Sequence, residues 1–325
     1  MHERRAQTIA LGDGITAVDT EYARVNMDAS HLIVDKGRAA FVDTGHNHAV
    51  PLLLDALRQA DVDVADVDYV FLTHIHLDHA GGAGLLMQQL PKAQCVVHPR
   101  GAAHMIDPTK LIAGTEAVYG KDETRELYGE IQPIDAQRVV VADDRQWFEL
   151  GEREMQALHT AGHALHHYSL FDPTSAGVFT GDSFGVSYRE LDTDAGEFIL
   201  PSSTPTHFDP VAAHLSVDRI MACDPKQLFL THYSRVTDLQ RLAHDMHASI
   251  DAYVEIATQC RDEDDRLDAI HSAMQQFLHG RARQHGFAGS DDDLQALLAG
   301  DIRLNAQGLV SWLARLDKEK QKSDQ

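Results

Sequence analysis

The sequence predicts an α+β chain, with strands and tight turns through about residue 230 and helices from about residue 239 onward. Three observations carry that prediction. Apolar runs of strand length alternate with turn-forming residues over the first two thirds of the chain. Ligand-type side chains stand at the exits of several of those runs, as they would along one edge of a sheet sandwich. Beyond Asp238 the apolar residues switch to helical spacing: Leu239, Leu242, Met246 and Ile250, then Leu294, Leu297, Leu298, Leu309 and Leu313.

In chain order, residues 14–18 start a strand, and residues 31–34 and 39–42 flank Asp35-Lys36-Gly37-Arg38, a hairpin turn. Asp43-Thr44-Gly45 closes the second of these strands. Pro51 opens an amphipathic helix carrying Leu52, Leu53, Leu54 and Leu57, because proline suits a first helical turn. Residues 67–73 form an apolar strand ending at His74, residues 85–90 a helix, and residues 94–98 a short strand. Residues 99–133 are mixed and partly helical, an insertion that could cover a site. Strands resume at 138–141, 146–150, 154–158, 168–171, 177–180 and 227–230. The division expected is a catalytic domain over 1–238 and a helical extension over 239–325, with a frayed polar tail from Lys318.

Bulk properties narrow the function. The 325 residues are 43% hydrophobic and 6% aromatic, as in a soluble enzyme. No apolar run is long enough to cross a membrane, and Met1-His2-Glu3-Arg4-Arg5 precedes no apolar leader segment. Cys95, Cys223 and Cys260 are widely spaced and odd in number, which suits a reducing, cytoplasmic setting. The formal charge of −22 argues against nucleic acid and against an anionic membrane as partners. A small-molecule substrate is the expected partner, with a homodimer allowed by the apolar stripe of the C-terminal helices.

With 21 histidines in the chain, only spacing counts as a signal. His74, His76, Asp78 and His79 place four potential ligands within six residues, where a strand gives way to a glycine-bearing turn. A loop can turn such alternate side chains towards one point, and imidazole with carboxylate suits zinc, iron or manganese. The bland alternative is a polar loop with chance histidines. Three further segments weigh against it: His159-Thr160-Ala161-Gly162-His163, Gly181-Asp182-Ser183 and Thr231-His232 each follow a predicted strand.

These segments, taken in order, resemble the metallo-β-lactamase superfamily. Its HxHxDH motif corresponds to His74, His76, Asp78 and His79, with Ala161 standing where the later T-P-G-H segment usually has proline. The resemblance implies a four-layer αββα sandwich and a hydrolase that uses hydroxide held by two divalent metal ions, zinc above all. One metal would sit on His74, His76 and His163, the second on Asp78, His79 and His232, with Asp182 bridging. Asp78 would also orient the nucleophile, and Asp43 and His167 would support the ligands. Aspartate at 182 fits the glyoxalase II, lactonase and tRNA-processing branches, and the charge of −22 argues against the last. Acid-rich residues 262–265 and 291–293 fit a glutathione clamp poorly, and the tyrosine typical of lactonases is replaced by Gly185. The substrate expected is a lactone, thioester or related small ester.

Phe184, Tyr188 and Phe208, with Phe198 and Leu200, either line the substrate pocket or pack their loop. His31, His46, His48, His98, His104 and His207 are expected at the surface or behind the ligands, and His159 and His166 as ordinary strand or loop residues. An iron-dependent sulfur dioxygenase and a non-catalytic metal-containing sensor are the alternative functions.

Overall fold

A computed structural model describes residues 5–203 and 207–323. The leader expectation at residues 1–4 and the last two tail positions lie outside them. The chain folds as two compact units. One holds the described part of Met1–His159 with His166–Gly181 and Cys223–Thr237, and the other Thr160–Leu165, Asp182–Ala222 and the described part of Asp238–Gln325. The chain thus passes between units several times, rather than once near residue 238.

Among the described residues, every strand belongs to the first unit. Its seven-stranded sheet follows chain order: β1 (Thr8–Gly12), β2 (Ile15–Asp19), β3 (Ala29–Asp35), β4 (Arg38–Val42), β5 (Val67–Phe71), β6 (Gln94–Val97) and β7 (Val139–Val141). β1 to β4 pair antiparallel, through tight turns except for the 20–28 loop between β2 and β3, and Lys36 and Gly37 take the positive φ of 48° and 76° that the predicted hairpin requires. β4 to β7 pair parallel, so each needs a crossover. The crossovers are α1 (Val50–Gln59), then α2 (Leu77–Ala80) with α3 (Ala83–Gln89), then α4 (Ala102–Ile106), α5 (Thr109–Tyr119) and α6 (Lys121–Tyr128).

The second sheet holds β8 (Trp147–Leu150), β9 (Arg153–His159), β10 (Tyr168–Asp172), β11 (Gly177–Gly181), β12 (Gln227–Leu230) and β13 (Ser234–Val236). Its strands are antiparallel except for the parallel pair β11 and β12. β1 and β13 escape the sequence reading because neither has a clean alternation over more than a few residues: β1 buries Leu11 alone, and β13 is three residues long.

The sheets face one another across Ile15, Ile33, Val42, Phe71 and Val96 on one side and Phe148, Met155, Tyr168, Leu170, Phe179 and Phe229 on the other. The opposite face of the first sheet packs Phe41 and Val70 against Leu52, Leu53, Leu57, Leu86 and Met87. Each such side chain contributes about 1.5–3 kcal/mol by leaving water. His31 lies in this interior and not at the surface, close enough to Asp43 to feel its charge. Its ring packs against the stacked pair Phe179 and Phe229, at centroid separations of 5.4 and 5.8 Å. Burial pulls its pKa down to about 4, so the folded protein holds it neutral. The unfolded imidazole gains its proton near pH 6.5. Stability is therefore complete above that value and falls as pH drops towards 4, by about 3 kcal/mol from this residue. In urea unfolding at neutral pH and near pH 4.5, His31→Leu is expected to lose clearly less stability on acidification than the natural protein does.

In the second unit, α7 (Pro210–Met221) starts with Pro at its first turn and with Asp209 accepting from the Ala212 N–H at 3.1 Å. The sequence reading misses this helix. The predicted C-terminal helices are α8 (Leu239–Gln259), α9 (Arg266–Gln284) and α10 (Asp291–Ser323). They bury Leu242, Met246, Ile250 and Tyr253, then Ile270, Met274 and Leu278, then Leu294, Leu298, Ile302, Leu309 and Leu313. The acidic stretches serve helix starts: Asp265 caps α9, and Asp291 to Asp293 occupy the first turn of α10, where the macrodipole favours negative charge. α10 continues to Ser323, so Lys318 to Ser323 are helical rather than frayed, with Lys320 and Lys322 complementing the dipole at its end.

Candidate metal centre

Parallel strands end on a common edge, and β4 and β5 deliver Asp43 and Thr73 there. Asp43 is buried and adopts φ +58°, a left-handed conformation that aspartate tolerates better than most residues. Its carboxylate joins three strand ends. Oδ1 accepts from the Thr73 N–H at 2.8 Å; Oδ2 accepts from Thr73 Oγ1, His79 Nδ1 and Thr231 Oγ1, each at 2.8 Å. Thr231 follows β12, so the edge of the second sheet is fixed to the same carboxylate.

The segment His74 to His79 departs from the expected plain loop. Asp78 and His79 belong to α2, a one-turn helix that starts after His76. His74 and His76 lie before it, with Nε2 of His74 facing Nδ1 of His76 at 2.8 Å. His74 and His79 are fully buried, with ring centroids 4.0 Å apart. One ring nitrogen of each histidine in the group Asp78, His79 and His232 is committed elsewhere. His79 Nδ1 donates to Asp43, and His232 Nδ1 donates to the Met27 carbonyl at 2.8 Å. A carboxylate and a carbonyl only accept, so each Nδ1 carries the proton. The two Nε2 lone pairs then face Asp78 Oδ2, at 3.9 and 3.6 Å. The three ligand atoms lie within 4.8 Å of one another, a donor set that fits a divalent ion.

In the second unit, His163 repeats the pattern. Its Nδ1 faces the Ser202 carbonyl at 3.0 Å and must donate to it, while Nε2 lies 3.4 Å from Asp182 Oδ2. Gly162, at φ +133°, lets α7 approach, for a Cβ there would meet the Ala213 backbone at 2.5 Å. The C-terminal helices hold the residues flanking Ser202. Asn305 of α10 accepts from the Ser203 N–H at 2.6 Å, and the Tyr253 hydroxyl of α8 donates to the Pro201 carbonyl at 3.3 Å. Asp182 follows β11, whose last residue Gly181 takes φ +48°. A Cβ on Gly181 would meet His167 Nε2 and Thr73 Oγ1 at 2.6 Å. His167 is fully buried and stacks on His74 at 4.8 Å.

Several residues differ from expectation. His166 borders the histidine cluster, its ring 5.3 Å from that of His76, and is no ordinary loop residue. The His98 and His159 rings lie 4.3 Å apart, tilted by 46°, and burial with the neighbouring His159 lowers the His98 pKa to about 4. His46 is buried edge-on to Tyr22 at 5.6 Å, whereas His48 is exposed. Phe184, Tyr188 and Phe208 are fully buried within the second unit, and the Tyr188 hydroxyl donates to Asp301 of α10 at 3.2 Å. They pack their segment in this structure.

The sequence reading also misses Tyr22, Tyr128 and Asp28. The Tyr22 and Tyr128 hydroxyls hydrogen-bond at 2.8 Å, in an apolar cluster with Leu77 and Ile131. Burial holds both phenols well above their ordinary pKa, and the Asp78 charge adds to it. The 99–133 insertion therefore packs on the ligand helix itself. Asp28 is fully buried, and burial raises its pKa to about 7 against the opposing pull of His232 and His79. No motif marks these three residues, whose role comes from tertiary placement alone.

A family model described as the metallo-beta-lactamase superfamily matches residues 24–232. The chain belongs to that superfamily, which includes many hydrolases. Among curated relatives, the metallo-beta-lactamase fold-containing protein ST1585 of Sulfurisphaera tokodaii is 29% identical over 178 residues, covering 53% of this chain and 63% of its own. The endoribonuclease YSH1 of Yarrowia lipolytica is 25% identical over 231 residues, covering 68% of this chain and 25% of its own. The chain thus spans less than two thirds of the length of these relatives. The solved structure of the metallo-beta-lactamase family protein TTHA1429 from Thermus thermophilus superposes with a TM-score of 0.66 at 17% identity, covering 95% of each chain. The α+β fold class expected from the sequence, two mixed sheets with helices, is that of this solved structure.

Proposed function

We propose that the chain is a metal-dependent hydrolase of a small ester-like substrate, of the glyoxalase II and lactonase kind, acting in the cytoplasm. One observation carries the reading: His79, His232 and His163 each give one ring nitrogen to a fixed acceptor and turn the other towards a carboxylate. Acceptors behind an imidazole set its tautomer and raise its basicity as a ligand. In this proposal His74, His76 and His163 hold one divalent ion, Asp78, His79 and His232 hold another, and Asp182 serves both. Zinc best suits this mixture of imidazole and carboxylate.

Two such ions supply Lewis acidity and a nucleophile drawn from water at neutral pH. The chain's own residues do the positioning. Asp78, part-exposed where its neighbours are buried, is the group able to accept a proton from the attacking water and pass it to solvent. Asp43 keeps His79 in one tautomer throughout. The charge of −22 supports a small substrate over a nucleic acid.

The test is metal quantitation on the purified protein, followed by assays on lactones, thioesters, phosphodiesters and β-lactams. Turnover of a lactone or thioester is expected, lost on chelation and restored by zinc. One iron per chain, with oxygen consumed in the presence of a persulfide, would overturn the reading.

A further inference from the structure

The geometry points to an acyl-chain subsite beside the metal centre: a half-buried apolar face of Met27, Leu111, Ile112, Tyr119 and Leu127 takes the hydrocarbon chain of the substrate. The inference rests on the hydrolase reading and adds a substrate class to it, thioesters or esters of an unbranched medium-chain acid. Helix α5 carries Leu111, Ile112, Val118 and Tyr119 at positions i, i+1, i+7 and i+8, which share one face. Such a stripe normally enters a core, yet α5 buries none of its residues fully. Leu111, Ile112 and Tyr119 rest instead on the small cluster of Tyr22, Leu77, Tyr128 and Ile131, and stay half-buried there. Leu127 of α6 and Met27 of the loop between β2 and β3 join the same cluster, also half-buried. Single exposed apolar side chains are ordinary, whereas five gathered on one cluster make a contiguous patch of the kind that marks a binding surface.

Position gives this surface its occupant. Leu77 of the cluster directly precedes Asp78, and the Met27 carbonyl is the acceptor that fixes His232 at 2.8 Å. The Tyr22 and Tyr128 phenols also feel the Asp78 charge. Asp78 is the candidate ligand that stays open, its side chain 24% exposed where those of His79 and His232 are at 0% and 6%. The apolar face therefore borders the part of the centre that solvent reaches. The polar atoms of its floor are turned on one another, since the Tyr22 and Tyr128 hydroxyls hydrogen-bond at 2.8 Å. A wall of this composition gains free energy by covering hydrocarbon and offers nothing to a charged group. Aliphatic side chains and the adaptable Met27 thioether suit a flexible chain better than a rigid ring.

The experiment uses the full-length, zinc-loaded protein and N-acetylcysteamine thioesters from acetyl to decanoyl. kcat/KM is expected to climb with length by up to about fourfold per methylene, the ratio that burying one methylene is worth, until the face is covered. In the double variant Leu111→Ala, Ile112→Ala the preference for decanoyl over acetyl should fall by roughly tenfold, mainly through KM. A flat length profile in the natural protein would sink the proposal, as would equal losses on acetyl and decanoyl substrates in the variant. If the double variant does not fold, Ile112→Gln, at a half-buried position, carries the same expectation. Decanamide, which the enzyme is not asked to cleave, separates the subsite from the reaction. It should shift the methyl NMR signals of Leu111 and Ile112, and acetamide should not. Decanamide binding with no thioester turned over would uphold the subsite and overturn the hydrolase reading. Turnover with neither decanamide binding nor a length preference would do the reverse.

Discussion

Asp182→Ala is expected to leave the protein folded but to lower hydrolysis on the order of 10³-fold, the size that losing a preorganised electrostatic contact reaches. The side chain is buried, with Oδ2 3.4 Å from His163 Nε2, at the point where β11 ends. If Asp182 serves two ions as proposed, loss of its charge leaves less negative charge between them, and metal content should fall from two ions per chain towards one. Asp182→Asn separates shape from charge: it keeps the side-chain volume and loses the anion. Elemental analysis beside the rate assay checks both. An alanine variant that retained two ions and the natural rate would remove Asp182 from the centre.

The second large effect is expected at Asp43, where alanine and asparagine should fail differently. Asp43→Ala strips the buried Thr73 N–H, His79 Nδ1 and Thr231 hydroxyl of their acceptor. It also places alanine at φ +58°. The expected cost is about 3 kcal/mol, read as a lower urea midpoint. Asp43→Asn can keep its oxygen towards the Thr73 N–H. Its amide nitrogen then replaces Oδ2 and faces His79 Nδ1, donor against donor. His79 escapes by moving its proton to Nε2, the nitrogen that faces Asp78. The asparagine variant should therefore stay nearly as stable while binding metal about 10- to 100-fold more weakly. Equal losses of stability in the two variants would count against this tautomer argument.

The fold was legible in the sequence wherever one residue pattern controls one element. The parallel strands β4 to β6 are buried apolar runs, and the turn at Lys36 and Gly37 has the residues that a tight hairpin demands. The candidate ligands were legible because strand exits concentrate them in short, ordered segments. What sits behind those ligands was not. The acceptors for His232 and His163 are backbone carbonyls of Met27 and Ser202, and a carbonyl has no signature in a sequence. Phe184, Tyr188 and Phe208 were ambiguous for the opposite reason: an aromatic residue reads alike whether it faces a ligand or the core. His31 and Asp28 are polar residues whose burial depends on partners far along the chain.

Residues 201–203 link the helices to chemistry. The Ser202 carbonyl that fixes His163 lies between Pro201 and Ser203, which Tyr253 and Asn305 hold more than fifty and one hundred positions further along the chain. The C-terminal helices are thus no detachable appendage. A designer who grafted the sheets without them, or exchanged them for the helices of a relative, would keep every candidate ligand and still alter the angle at which one imidazole is presented. If His163 holds a metal ion as proposed, its affinity can be tuned from Tyr253 of α8 and Asn305 of α10 through residues 201–203.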